Sequence, residues 1–100
     1  MVLEIADIRV KAGQGGAFEA AIQRGVETVI RRAHGFRGYE VRKGIESPER
    51  FVLMIHWETL EDHTVAFRGG PLFAEWRAIV GPYFDGPPSV EHFTRVAGSD

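Results

Sequence analysis

The sequence predicts one α+β domain, a four-stranded antiparallel sheet with helices on one face. Its length of 100 residues suits a single domain. Its apolar patterns follow the order strand, helix, strand, strand, helices, strand, which is the order of the split βαβ or ferredoxin-like fold. The third strand is apolar on both faces, which predicts that a second copy of the chain covers the face without helices. We expect residues 1–97 to form the domain and residues 98–100 to form a frayed tail.

The first strand is predicted from Val2 to Lys11, where β-branched residues dominate. Its apolar positions change parity near Ala6 and Asp7, so we expect either that both faces of the strand are covered or that a bulge lies there. Because an unpaired carboxylate would be costly in a central strand, we expect Asp7 to lie at such a bulge or to pair with Arg9 or Lys11.

A helix is predicted from Ala17 to about His34, because apolar residues recur there at three- and four-residue steps. Gly35 follows as a residue that adopts the left-handed conformation easily at a helix C-terminus. The second strand is predicted from Phe36 to Ile45. The buried stripe of the helix consists of Phe18, Ile22, Val26, Val29, Ile30 and Ala33.

The second half of the chain predicts two more strands and two short helices. The third strand runs from Arg50 to Glu58, and the closing strand runs from Ser89 to Val96. Between them, Thr59-Leu-Glu-Asp62 has the spacing of a capping box, which opens a helix. Pro71 is well tolerated at a first helical position and opens another. The third strand places Phe51, Leu53, Ile55 and Trp57 on one side and Val52, Met54 and His56 on the other.

Composition argues against several classes of function. The net charge is −2 and the basic residues are scattered, so we expect no nucleic-acid partner. The longest apolar run, Phe51 to Ile55, is far too short to span a bilayer, so we expect no membrane partner. The chain contains no cysteine, which suits a cytoplasmic location. The four histidines lack the spacing of metal ligands, and no dinucleotide-binding loop is present, so we expect neither metal nor other cofactor.

A set of residues in the second half resembles the antibiotic biosynthesis monooxygenase family of dimeric α+β barrels. The matching segments are Trp57-Glu-Thr-Leu-Glu-Asp-His63, Phe67-Arg68, Pro71-Leu-Phe73, Trp76-Arg77 and Pro88-Ser-Val-Glu-His92-Phe93. The resemblance implies a homodimer with a pocket between the helices and the sheet. It also implies the oxidation of a small phenolic or quinol-type aromatic by O₂ without metal or flavin.

The match to the haem-degrading members of that family fails at the residues that those members use. They use an Asn in the first strand together with a Trp and a His on the later helices. Asp7, Ala66 and Arg77 stand at or near those positions here. The resemblance therefore favours oxygenation of an aromatic molecule over haem degradation.

Oxidation of this kind requires a base to remove the phenolic proton, a cation for the oxyanion and a dry pocket. We expect His63 and Arg68 to be catalytic, His63 as the base with a pKa near neutrality. His63 is equally compatible with a buried histidine that bonds a carbonyl, and Arg68 with a cap on its helix. The residues expected to bind substrate are Trp57, Phe67, Phe73, Trp76, Arg77 and His92, of which Trp76 and His92 also suit simple packing.

A second function remains open at this point. A dimeric barrel that binds a small apolar ligand without turning it over would need the same fold and the same aromatic residues. The His, Arg and Trp residues on the two short helices favour the enzyme, although they also suit the polar rim of a binding cleft.

Overall fold

The computed structural model describes the whole chain, Met1 to Asp100, and has the predicted order of elements. Two α-helices, two 3₁₀ turns and one π-helical turn connect four strands. The strands are β1 (Val2–Arg9), β2 (Phe36–Lys43), β3 (Arg50–Trp57) and β4 (Ser89–Phe93). The helices are α1 (Gly15–Thr28) and α2 (Pro71–Val80), the 3₁₀ turns are Ile30–Arg32 and Gly81–Tyr83, and the π-helical turn is Asp62–Phe67.

The strands form one antiparallel sheet in the order β2-β3-β1-β4, which is the ferredoxin-like topology that the sequence predicts. The pairing of β1 with β3 is uninterrupted from Val2 to Arg9. The bulge considered near Ala6 and Asp7 is therefore absent. The irregularity lies instead in β2, where the register shifts between Phe36 and Tyr39.

The parity change in β1 arises because both faces of the strand carry apolar residues. Ala6, Ile8 and the following Val10 are buried beneath the helices. Leu3 and Ile5 point to the other side and are half-buried. The first strand therefore alternates regularly, as a strand does when both faces are in use.

The predicted partner of Asp7 is wrong. The Asp7 carboxylate accepts hydrogen bonds from Arg50 on β3, at 3.1 Å from Nε and 2.7 Å from Nη2. The bidentate geometry suits a guanidinium, and it holds the pKa of Asp7 below its usual value. A cross-strand neighbour thus replaces the sequence neighbours Arg9 and Lys11.

Three predicted element ends also need correction. The first α-helix stops at Thr28, not at His34, because three consecutive β-branched residues begin there and the chain tightens into a 3₁₀ turn. The second strand stops at Lys43, and Ile45 is 92% exposed in the turn that follows. The closing strand stops at Phe93 rather than Val96.

Both α-helices lie on one face of the sheet, and the core fills the space between them. Its largest fully buried side chains include Trp57, Phe18, Phe51, Ile8 and Ile22. The opposite face, which we call the open face, carries the half-exposed apolar side chains Leu3, Ile5, Val52, Met54 and Phe93. None of the helices has the length and apolar character that crossing a membrane requires.

Candidate active site

A cavity of about 250 Å³ lies between the helices and the sheet. Of its 15 lining residues nine are hydrophobic, so the interior is mainly apolar. Glu4, Leu53 and Val90 contribute from three neighbouring strands, while the π-helical turn and α2 form the facing wall. Pockets for drug-sized ligands measure about 300–1,000 Å³, so this cavity suits a smaller molecule.

Glu4 is the least expected residue of this cavity. It lies on the helix-covered face of β1 and is 5% exposed. The indole Nε1 of Trp57 donates a hydrogen bond of 2.9 Å to Glu4 Oε1. Burial raises the pKa of Glu4 to about 7, although the Trp57 hydrogen bond and the charge of Arg68 both act to lower it. A carboxyl with this pKa exchanges its proton at neutral pH.

His63 lies directly beside Glu4. The capping box forms as predicted, with Asp62 N–H donating to Thr59 Oγ1 and Thr59 N–H donating to an Asp62 carboxylate oxygen, each at 3.1 Å. It opens the π-helical turn whose second residue is His63. The His63 ring stacks on Trp57, with centroids 5.2 Å apart and planes 14° apart, and its Nε2 lies 3.3 Å from Glu4 Oε1.

The expected near-neutral pKa of His63 is not supported. Burial lowers its pKa to about 4, and the charges of Arg68 and His92 contribute in the same direction. His63 is therefore neutral at physiological pH and a weak base. Its ring bonds another imidazole rather than a carbonyl, since Nδ1 of His63 lies 2.8 Å from Nε2 of His92.

His92 approaches the same cluster from β4. It lies directly opposite Glu4 in the pairing of β1 with β4, so both side chains are on the helix-covered face. The residue is half-buried, and burial together with the charge of Arg68 lowers its pKa. His92 does not line the cavity, so its location does not support the predicted contact with substrate.

Arg68 follows the π-helical turn and lines the cavity. Its side chain forms no ion pair with any carboxylate of the chain. Its positive charge lowers the pKa of Glu4, His63 and His92. The guanidinium thus provides a positive potential where Glu4 opens to the cavity.

Aromatic rings form much of the helical wall of the cavity. Phe67 and Phe73 meet edge to face, with centroids 5.7 Å apart. The Arg77 guanidinium lies over two rings, 5.9 Å from the centroid of Phe73 and 5.8 Å from that of Phe84, a cation–π arrangement that fixes its position. Trp76, which is 7% exposed, completes this wall.

The predicted site residues thus divide into two groups. His63, Arg68, Phe67, Phe73, Trp76 and Arg77 all line the cavity. Trp57 does not, because it is fully buried between Glu4 and His63. Its location indicates that it positions these two groups and does not support the predicted contact with substrate.

The sequence carries one signal that Glu4 is buried. Glu4 has the same parity as Ala6, Ile8 and Val10, so a regular strand places its carboxyl on the buried face. A bulge near Ala6 and Asp7 would reverse the parity, so the sequence alone left the face of the Glu4 side chain undecided. The meeting of Glu4, His63 and His92 follows from tertiary pairing, which local pattern does not encode.

The arrangement favours proton transfer next to an apolar ligand. It combines a carboxyl that titrates near neutrality, a neutral imidazole beside it and a guanidinium without a carboxylate partner. No three His, Cys, Asp or Glu side chains come together in a way that could hold a metal ion. These residue types could take a proton from a bound acidic group and stabilise the anion that results.

Comparison with known proteins identifies the class of protein. The family model for antibiotic biosynthesis monooxygenases matches residues 1–79, and this chain belongs to that family. A structure from Bordetella bronchiseptica, classed with the antibiotic biosynthesis monooxygenases, is 38% identical, with a TM-score of 0.90 over 96% of this chain and 97% of that one.

Two further relatives extend the comparison. The uncharacterized protein YczJ of Bacillus subtilis is 35% identical over 96% of this chain and the whole of its own length. A monooxygenase from the ActVA-Orf6 gene of Streptomyces coelicolor, solved in complex with nanaomycin D, superposes with a TM-score of 0.81. Its identity is 21%, covering 98% of this chain and 89% of that one, so the similarity shows a common fold.

Proposed function

We propose that this protein is a small oxygenase that oxidises a phenolic or quinol-type aromatic with O₂ and needs no metal or flavin. The observation that carries the proposal is Glu4, a buried carboxyl on the cavity wall whose pKa of about 7 suits a general base at neutral pH. This assigns to Glu4 the role that the sequence suggested for His63. His63 remains beside it as a neutral imidazole whose Nε2 lies 3.3 Å from Glu4 Oε1.

The reaction begins when Glu4 removes the phenolic proton. The electron-rich phenolate then transfers one electron to O₂, and the resulting superoxide and phenoxyl radical combine to form a peroxide. Arg68 lines the cavity, and no carboxylate of the chain pairs with its guanidinium. Its positive charge would therefore lower the free energy of the phenolate. The apolar wall of Phe67, Phe73 and Trp76 excludes water from these anions.

The overall conversion balances without an added reductant. A phenol with a hydrogen para to its hydroxyl and one O₂ give a quinone and one water. The substrate supplies all four electrons, one oxygen atom enters the new carbonyl, and the other leaves as water. As the O–O bond breaks, the para C–H proton is lost, and it combines with the departing oxygen and the proton held by Glu4 to form that water, so no net proton is released.

The proposed enzyme is a homodimer that pairs through the open face. Leu3, Ile5, Val52, Met54 and Phe93 form a half-exposed apolar surface there, which a second copy would cover. The Asp7–Arg50 pair lies beside this surface and would contribute to a polar rim. The cytoplasmic location expected from the composition stays a prediction.

The alternative is a barrel that binds a small apolar ligand without reaction. The mainly apolar lining of the cavity favours it equally. Glu4 argues for the enzyme, because an ionisable group in such a site costs stability and contributes little to the binding of an apolar molecule. The Streptomyces coelicolor structure solved with nanaomycin D shows that a protein of this fold can bind a small ligand, which suits either proposal.

The test is O₂ consumption with a panel of naphthols, anthrones and hydroquinones, with and without a chelator. We expect at least one compound to be oxidised at a rate that the chelator does not change. With ¹⁸O₂, the quinone formed from a compound with a free para position, such as 1-naphthol or anthrone, should carry one labelled oxygen atom. Activity that is lost on chelation and returns with metal would refute the metal-free mechanism, and no consumption with any compound would favour the binding protein.

A further inference from the structure

Glu4, His63 and His92 form a continuous row of polar groups from the cavity to an edge of the sheet. Oε1 of Glu4 lies 3.3 Å from Nε2 of His63, and Nδ1 of His63 lies 2.8 Å from Nε2 of His92. His92 is half-buried on β4, which is an edge strand. The row therefore begins at a carboxyl that is 5% exposed and ends at a half-buried histidine that does not line the cavity.

We propose that this row is the main proton path by which Glu4 exchanges its proton with solvent, whether the cavity is empty or occupied. The inference rests on the proposed function, in which Glu4 is the base. It also assigns a role to His92, which does not line the cavity. A base sealed behind a bound ligand needs another route to reach its ionised form. His63 and His92 provide that route through the protein.

The transfer can be written with every proton accounted for. In the protonated state Glu4 carries its proton on Oε1, which lies 3.3 Å from His63 Nε2, His63 Nδ1–H donates to His92 Nε2, and His92 carries a proton on Nδ1. Each group then passes one proton along: Glu4 to His63 Nε2, His63 Nδ1 to His92 Nε2, and His92 Nδ1 to water. Both imidazoles change tautomer and remain neutral, and Glu4 becomes a carboxylate.

The surroundings of the row favour this concerted transfer. Neither imidazole needs to hold an extra proton, and burial and the charge of Arg68 lower the pKa of both. Arg68 also favours ionised Glu4. Trp57 packs on the row from β3, where its indole donates to Glu4 Oε1 and its ring lies parallel to His63. The Trp57 indole does not titrate near neutral pH. The groups that exchange protons are therefore Glu4, His63 and His92.

The experiment measures the protonation rate of Glu4 in the protein alone, without any substrate. Glutamate labelled with ¹³C at the carboxyl gives a signal for Glu4, identified by its loss in Glu4→Gln. Near the midpoint of its titration, relaxation dispersion reads exchange on the microsecond-to-millisecond timescale. His92→Gln keeps a polar side chain at the edge strand but cannot pass a proton along.

We expect His92→Gln to slow the exchange of Glu4 by about a hundredfold, the size typical of a positioned proton-transfer group. His63→Gln should slow it similarly. His56→Gln is the matched control, since His56 is an exposed histidine on β3 outside the row, and it should leave the rate unchanged. Dispersed amide spectra establish that each variant is folded.

An unchanged exchange rate in folded His92→Gln would overturn the proposal, because the proton would then leave through the cavity. If His92→Gln moves only the titration midpoint of Glu4 and leaves the exchange rate at that midpoint unchanged, His92 has a purely structural role and the proposal is wrong. The outcome is separate from the proposed oxidation. Slowed exchange in a protein that oxidises no phenol would support the path and refute the oxygenase.

Discussion

Replacing Glu4 by Gln should change how the stability of the protein depends on pH. The pKa of Glu4 rises from 4.5 to about 7 on folding. Between these values the folded state holds a proton that the unfolded state has released, so the free energy of unfolding falls as the pH rises. The cost of burying this carboxyl is absent below pH 4.5 and complete above about pH 7, where it reaches about 3 kcal/mol.

His63 acts in the opposite direction over an overlapping range. Its pKa falls from 6.5 to about 4 on folding. Between these values the unfolded state holds the additional proton, so the free energy of unfolding rises with pH, again by about 3 kcal/mol. The two contributions therefore largely cancel in the wild-type protein between pH 4.5 and 6.5.

The assay is urea unfolding across this pH range, at one fixed protein concentration because a dimer's stability depends on concentration. Glu4→Gln keeps an acceptor for the Trp57 indole and should gain stability as the pH rises from about 4 to 6.5. His63→Gln should lose stability as the pH rises from 4.5 to about 7. Wild-type stability should vary less than either. Parallel curves for Glu4→Gln and wild type would refute the assigned pKa of Glu4.

Two further predictions concern packing. Met54→Lys on the open face should convert the proposed dimer to a monomer in sedimentation, whereas Ile45→Lys, at a residue 92% exposed in a turn, should not; a monomeric wild type would refute the proposed interface. Gly25→Ala places a Cβ 2.8 Å from the Trp76 ring and should cost about 1–3 kcal/mol with a change in tryptophan fluorescence. Gly16→Ala, in the same helix with no atom within 4 Å, should not destabilise, and equal unfolding curves for the two variants would contradict the close packing of Trp76.

The sequence was sufficient for the fold because its signals are local. The third strand places Phe51, Leu53, Ile55 and Trp57 on one side and the residues between them on the other, as predicted, and the structure shows that the first set is the buried one. The capping box and Pro71 begin their elements where expected. The element ends were less accurate, since tertiary contacts and β-branched residues decide where a helix changes to a 3₁₀ turn.

The site was predicted less completely. Six of the eight residues proposed from sequence line the cavity, so the residue types and helix faces carried real information. Glu4 was missed because the possible bulge left the face of its side chain undecided, and its pKa follows from burial that the sequence does not state. The partners of His63 also come from two distant strands, and only the folded register brings them together.

The pH dependence of turnover tests the central claim, that Glu4 is the base, most directly. With an oxidised compound from the panel, the rate of O₂ consumption by the wild-type protein should rise with pH through about 7, as Glu4 ionises, and then level off. Glu4→Gln should lower the rate about a hundredfold or more and remove this rise. Full activity in Glu4→Gln, with the same pH profile as wild type, would contradict the account.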